Sequence, residues 1–175
     1  MDDEHITSAT ETDIPPLNVL INSAYRGDSS RKGWTTEADL LGGIRTTETD
    51  LRAMLANPRA TILKYEQAGS ILGCVYLEEK GSELYLGMLT VSPDAQANGI
   101  GKKLMLAAEA LAQEKGLSGM VMSVISVREE LIAFYERRGY QKTGETIPFP
   151  KDPRFGEPKR ELEFIIMQKP LLTHS

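Results

Sequence analysis

Three strand-length runs, "RATILKYE", "SILGCVYLEE" and "SELYLGMLTV", succeed one another between Arg59 and Val91, joined only by the glycine-bearing turns "QAG" and "EKG". A parallel neighbour needs a crossover of about a dozen residues or more, and these turns are far shorter. Each run must therefore fold back beside the one before it, as an antiparallel meander.

Helical periodicity surrounds the meander. In "PPLNVLINSAYR", Pro16 precedes an apolar spacing of Leu17, Leu20, Ile21 and Ala24, which predicts a first helix with proline at its start; a short strand near "ITSAT" precedes it. Thr47 followed three residues later by Asp50 resembles a capping box for a second helix, "ETDLRAMLAN", closed by Pro58. From Gly99 to Lys115, apolar residues recur at spacings of three and four, with Gly116 as the terminating glycine. "SGMVMSV" is apolar on both faces apart from its serines and predicts an interior strand. "REELIAFYERRG" is a short amphipathic helix, "YQKTGETI" a strand, and "RELEFIIMQKPL" a terminal strand. The intervening "PFPKDPRFGEP" holds four prolines and predicts an extended loop rather than an element.

With 175 residues, one domain spanning 1–175 is expected, an α/β fold with a mixed sheet covered by helices. The net charge of -5 provides no basic surplus for sequence-independent nucleic-acid binding, so no nucleic-acid partner is expected. The N-terminus "MDDEHITSATETD" is acidic, and no run approaches the roughly 18 apolar residues of a membrane span; the reading is cytoplasmic, without a membrane partner. Cys74 is the only cysteine, and His5 and His174 lie near opposite ends of the chain, so neither an intrachain disulfide nor a metal site is expected. Flanked by "ILG" and "VYL", Cys74 reads as a buried strand thiol.

The glycines at the start of the third helix carry more chemistry. In "PDAQANGIGKKL", Gly99 and Gly101 stand where a polar turn becomes a helix. A dinucleotide fingerprint fails because Leu104 occupies the third glycine position, and a Walker A loop fails because Gln96 and Lys103 stand where its first glycine and its hydroxyl belong. What survives is a helix start without Cβ atoms, where an anion can approach the unpaired first-turn N–H groups.

The run "LTVSPDAQANGIGKKL" resembles the acyl-CoA-binding motif of the GCN5-related N-acetyltransferase (GNAT) superfamily, in which a strand ending in V-x-P leads to Q/R-x-x-G-x-G/A at a helix start. The matching residues are Val91, Pro93, Gln96, Gly99 and Gly101. A second segment, "AFYERRGYQKTGE", is similar to the superfamily's F-Y-x-x-x-G-F/Y through Phe134, Tyr135, Gly139 and Tyr140. The resemblance implies a GNAT-like α/β fold: a single domain with a mixed, mostly antiparallel sheet of about seven strands, a central splay and about four flanking helices. The strands ending at Val91 and Val124 would be the splayed pair.

It also implies acetyl-CoA as cofactor, held by Leu89, Thr90, Val91, Gln96, Ala97, Asn98, Gly99, Ile100, Gly101, Lys102 and Tyr135. A main-chain N–H around Leu89 to Val91 would face the carbonyl oxygen as it gains charge, and Tyr135 would be the general acid for the leaving thiolate. Glu83 is the candidate general base, with Glu78 and Glu79 beside it. Tyr25, Trp34 and Tyr85 are candidate contacts of the acceptor. Many members carry an asparagine and an alanine where this chain has Arg128 and Leu131; Arg128 could instead approach a phosphate or solvent.

The function so implied is acetyl transfer to a primary amine of a small molecule. The alternatives are a protein N-terminal or lysine acetyltransferase, and a non-catalytic acyl-CoA sensor of the same fold. A homodimer is an open possibility, and the proline-rich loop would close the acceptor pocket or mediate self-association. A bulky replacement at Gly101 is expected to abolish acyl-CoA binding, because a side chain would fill the phosphate approach; unchanged affinity by calorimetry would contradict the cradle.

Overall fold

The structure, a computed structural model, describes residues 4–25, 41–42, 46–93, 95, 99–148, 157–158 and 163–171. Strand β1 (Glu4–Ser8), helix α1 (Ile14–Tyr25), the two-residue strand β2 (Leu41–Gly42) and helix α2 (Glu48–Ala56) precede the meander of β3 (Ala60–Gln67), β4 (Ser70–Lys80) and β5 (Glu83–Val91). Helix α3 (Ile100–Glu114), β6 (Gly119–Ile125), α4 (Glu129–Glu136), β7 (Gln141–Pro148), β8 (Glu157–Pro158) and β9 (Glu163–Pro170) follow.

Local chemistry sets these boundaries. Thr47 accepts the Asp50 N–H on its hydroxyl at 3.1 Å, the capping contact that opens α2. At the other end Asn57 is extended, the conformation that a following proline enforces. Gly116 and Gly139, at φ 72° and 94°, take the left-handed conformation that ends α3 and α4. Pro15 and Pro16 occupy the first turn of α1, where no intrahelical N–H bond is lost.

Seven strands form one sheet in the order β1-β3-β4-β5-β6-β9-β7. Only β5 and β6 are parallel; the other neighbours run antiparallel. The terminal strand β9 enters between β6 and β7 instead of adding to an edge. The proline-rich segment corrects the expectation of a loop without elements: Glu157 and Pro158 form β8, antiparallel to β2. A two-residue edge pairing tolerates proline because it needs so few N–H donors.

Each face of the sheet carries its own core. Helices α3 and α4 cover Leu63, Val75, Leu77, Leu84 and Leu86, while α1 and α2 bury Ile62, Cys74 and Met88 against Ile14, Leu17, Ile21 and Leu51. Cys74 is fully buried, as its flanks predict.

The approach of α3 to the sheet depends on Gly73. A Cβ there would stand 2.9 Å from Ile100 Cγ2 and 3.0 Å from both Leu104 Cδ1 and the Thr90 carbonyl oxygen. The two side chains can shift; the Thr90 carbonyl belongs to β5 and cannot retreat without moving the strand. Gly73→Ala is expected to destabilise the fold by about 1–3 kcal/mol through overpacking, measurable by urea unfolding.

Candidate active site

The parallel ladder between β5 and β6 contains the pairs Glu83/Gly119, Leu84/Met120 and Tyr85/Val121 and then stops. The cause lies on the other side of β5. Its pairing with β4 passes from Cys74/Thr90 to Tyr76/Gly87, so Met88 and Leu89 together oppose the single Val75. Met88 holds the left-handed conformation at φ 53°, unusual for a residue with a side chain. Such a bulge bends a strand and sharpens its twist. The buried Thr90 hydroxyl donates to the Met88 carbonyl at 2.8 Å and braces the bend. Meanwhile β6 stays paired with β9 along its whole length, from Gly119/Pro170 to Ile125/Phe164.

The divergence leaves a cleft of about 110 Å³ bordered by Tyr85, Gly87, Leu89, Ser123, Arg128 and Tyr135. A larger hollow of about 470 Å³, lined by Thr10, Glu11, Ile14, Arg52 and Leu55, lies beside β1 at the far edge of the sheet and contains none of the predicted site residues.

Of the predicted cofactor residues, Leu89 and Tyr135 line the cleft. Thr90 and Val91 continue β5 in pairing with Cys74 and Gly73. The turn that follows is held by Ser92 N–H to the Leu72 carbonyl at 2.8 Å and Ala95 N–H to the Ser92 carbonyl at 2.9 Å. Gly99 caps α3 in the left-handed conformation, φ 71°, and a Cβ there would meet nothing within 4 Å. Ile100 and Gly101 are buried, whereas Lys102 is exposed. Gln96, Ala97 and Asn98 lie outside the described residues.

Tyr135 is 5% exposed, its ring edge-on to Phe134 at 5.6 Å and to Tyr140 at 6.1 Å. Tyr140 donates its hydroxyl to Glu109 at 3.2 Å, and Glu109 also holds Lys169 at 2.8 Å. The ring behind Tyr135 is thus tied to α3 and β9 together. Burial, reinforced by the Glu109 carboxylate, pushes the Tyr140 phenol well above its ordinary value of 10.0. Arg128 does not reach into solvent: it is 9% exposed at the N-terminus of α4, within the cleft wall.

On the face of the sheet that bears α1 and α2, the structure brings some candidates together and separates others. The Tyr85 hydroxyl lies 3.1 Å from Ser123 Oγ, bridging the diverging strands. Its ring occupies the space over Gly87, where a Cβ would stand 2.9 Å from Tyr85 Cε1. Glu83 is not in the cleft; it pairs at the closed end of the ladder and accepts the Gln168 amide at 2.8 Å. Tyr25 ends α1, and Trp34 lies outside the described residues. Tyr76 and Ser123 escaped the reading of the sequence, although strand alternation places Tyr76 and Glu78 on one face with Tyr85. Tyr76 donates to Glu78 at 2.5 Å, and burial together with that carboxylate pushes its phenol up.

A family model described as acetyltransferase (GNAT) domain matches residues 43–149. Among curated proteins, N-acetyltransferase family 8 member 3 from Mus musculus is 29% identical over 122 residues, 65% of this chain and 53% of that protein. The chain thus spans about half the length of the curated relatives it matches. The ribosomal-protein-S18-alanine N-acetyltransferase from Escherichia coli shares the fold with a TM-score of 0.73 at 17% identity, covering 98% of this chain and 96% of that one. The yncA structure from Salmonella typhimurium, which contains its cofactor acetyl-CoA, superposes with a TM-score of 0.70 at 21% identity, covering 99% of this chain and 96% of that one.

The packing behind Tyr135 has a pH signature. Above pH 10 the unfolded chain releases the Tyr140 proton while the folded chain keeps it, so this contribution to stability is intact below pH 10 and declines as pH rises. In Tyr140→Phe, loss of the Glu109 bond is expected to cost about 1 kcal/mol at neutral pH, and the alkaline decline to be shallower. Urea titrations at neutral and alkaline pH measure both.

Proposed function

Because the chain belongs to the acetyltransferase (GNAT) family, we propose that it transfers the acetyl group of acetyl-CoA to the primary amine of a small molecule by direct attack on the thioester. The observation that carries this reading is the early end of the β5/β6 ladder, which opens a cleft with Tyr135 buried in its wall, and β5 is followed in the chain by the glycine-capped start of α3. The matching family model covers most of the segments that build the cleft.

The residues present fit the cofactor. An extended arm suits a gap between two strands, and a diphosphate suits a helix start where neither Gly99 nor Gly101 presents a side chain. In this reading Leu89, Thr90 and Val91 flank the arm, while Gln96 to Lys102 receive the diphosphate. Bound acetyl-CoA supplies the activated acetyl group.

The main chain of Leu89 to Val91, redirected by the bulge at Met88, is the proposed donor toward the carbonyl oxygen where negative charge grows. Tyr135 Oη holds the proton required by the departing sulfur. Glu83, engaged with Gln168 outside the cleft, could take the amine's proton only through solvent. A non-catalytic acyl-CoA sensor of the same fold would use Tyr135 for packing alone, and thiol release with an amine distinguishes the two. We also take residues 1–175 as one domain, a reading supported by the likeness to single acetyltransferase chains over 98% of the sequence. No described helix is long and apolar enough to cross a membrane.

An amine panel with acetyl-CoA, monitored by released thiol and product mass, tests the reading; peptides with free N-termini or lysines test the protein-acceptor alternative. Tyr135→Phe is expected to lower turnover by about 100-fold with little change in acetyl-CoA affinity. Equal turnover across the accessible pH range would remove Tyr135 from the role of acid.

A further inference from the structure

If acetyl transfer takes place in the cleft, the acceptor must be held where β5 leaves β6, and the groups at that point have the chemistry of an ammonium receptor. Tyr76 and Glu78 of β4 stand opposite Gly87 and Tyr85 of β5, which places all four on one face of the sheet. Because Gly87 has no side chain, the Tyr85 ring lies along the strand toward the cleft, and its hydroxyl reaches Ser123 on β6. Tyr76 directs its hydroxyl onto Glu78 and orients that carboxylate. Among the described residues, no lysine or arginine lies within 4.0 Å of the Glu78 carboxylate, whereas the neighbouring Glu79 holds Lys115 at 3.2 Å.

An ammonium already rests on this receptor. Lys80, exposed at the end of β4, places its Nζ 4.6 Å from the centre of the Tyr85 ring. A solvated lysine on an aromatic face is held weakly, so a better-placed cation displaces it.

We propose that the acceptor binds as a primary alkylammonium at the end of an unbranched apolar stem, taking the place of Lys80 Nζ on the Tyr85 ring beside Glu78. The proposal rests on the acetyltransferase reading above and adds the class of amine. An α-amino acid would bring its own carboxylate toward Glu78 and Glu83, where like charges repel. A free alkylamine and a peptide lysine side chain share the required chemistry. On becoming an amide, the ammonium loses two N–H protons: one restores the proton that Tyr135 gives to sulfur, and the other leaves through Glu78 to solvent.

The full chain is assayed at low ionic strength with acetyl-CoA and pentylamine, a lysine peptide blocked at its N-terminus, or leucine. Pentylamine or the lysine peptide is expected to exceed leucine at least tenfold in kcat/KM, and the better of the two identifies the source of the amine. Tyr85→Leu is expected to raise the KM for that amine at least tenfold with the acetyl-CoA KM unchanged, Tyr85→Phe to stay within about threefold because the ring remains, and Glu78→Gln to raise the KM several-fold. Lys80→Ala is expected to lower that KM about two- to fivefold, an effect that vanishes in the Tyr85→Leu background. An unchanged KM in Lys80→Ala, or leucine used as well as pentylamine, overturns the inference while leaving acetyl transfer intact. Failure of the wild-type chain to acetylate any amine overturns the acetyltransferase reading itself. Calorimetric titration with pentylamine alone then reads the ammonium site directly, and no tightening in Lys80→Ala overturns that as well.

Discussion

Between β5 and β6 the backbone pairing ends after Tyr85 and Val121, and a sheet can let its central strands diverge only if its other contacts hold them in place. On one side, β4 holds β5 in a long antiparallel register interrupted by a bulge that Thr90 braces. On the other, β9 holds β6 over seven pairs. The two cores fasten the halves from above and below, α1 against β4 and β5 on one face and α3 against β3, β4, β5 and β6 on the other. Strand edges that diverge inside a sheet form a template for an extended molecule, because peptide groups there are already aligned for a further strand.

Much of this was legible in the residues. The meander follows from short turns, the helices from their spacing and caps, and the helix start at Gly99 from two glycines where a polar turn becomes a helix. The place of β9 was not, since pairing between distant segments leaves no local mark, and neither was β8 within a proline-rich run. The bulge was hidden for another reason: its left-handed residue is Met88, and nothing in a methionine announces that conformation. For Arg128 the residues left a phosphate and solvent both open, and the turn after β6 carries it into the cleft wall, away from solvent. The link between Tyr85 and Ser123 depends on where the strands diverge, a tertiary fact.

Two glycines act through what they lack. Gly73 admits the first turn of α3 against the sheet, and Gly87 admits the ring of Tyr85. Neither has positive φ, so the usual conformational argument for glycine does not apply; the requirement is for space. A reading of the sequence finds glycines that bend a chain more readily than glycines that make room for a side chain from elsewhere.

The position of β9 also orders events in time. During synthesis, β5, α3, β6 and α4 all emerge before residues 163–170, yet β6 lacks its antiparallel neighbour until those residues arrive. One wall of the cleft therefore has an open flank while the other is already seated, and the nascent chain carries an unsealed strand beside the cleft. Completion of this wall waits for β9 to leave the ribosome, so a product interrupted before Glu163 would carry the glycine-capped start of α3 and Tyr135 without a finished cleft.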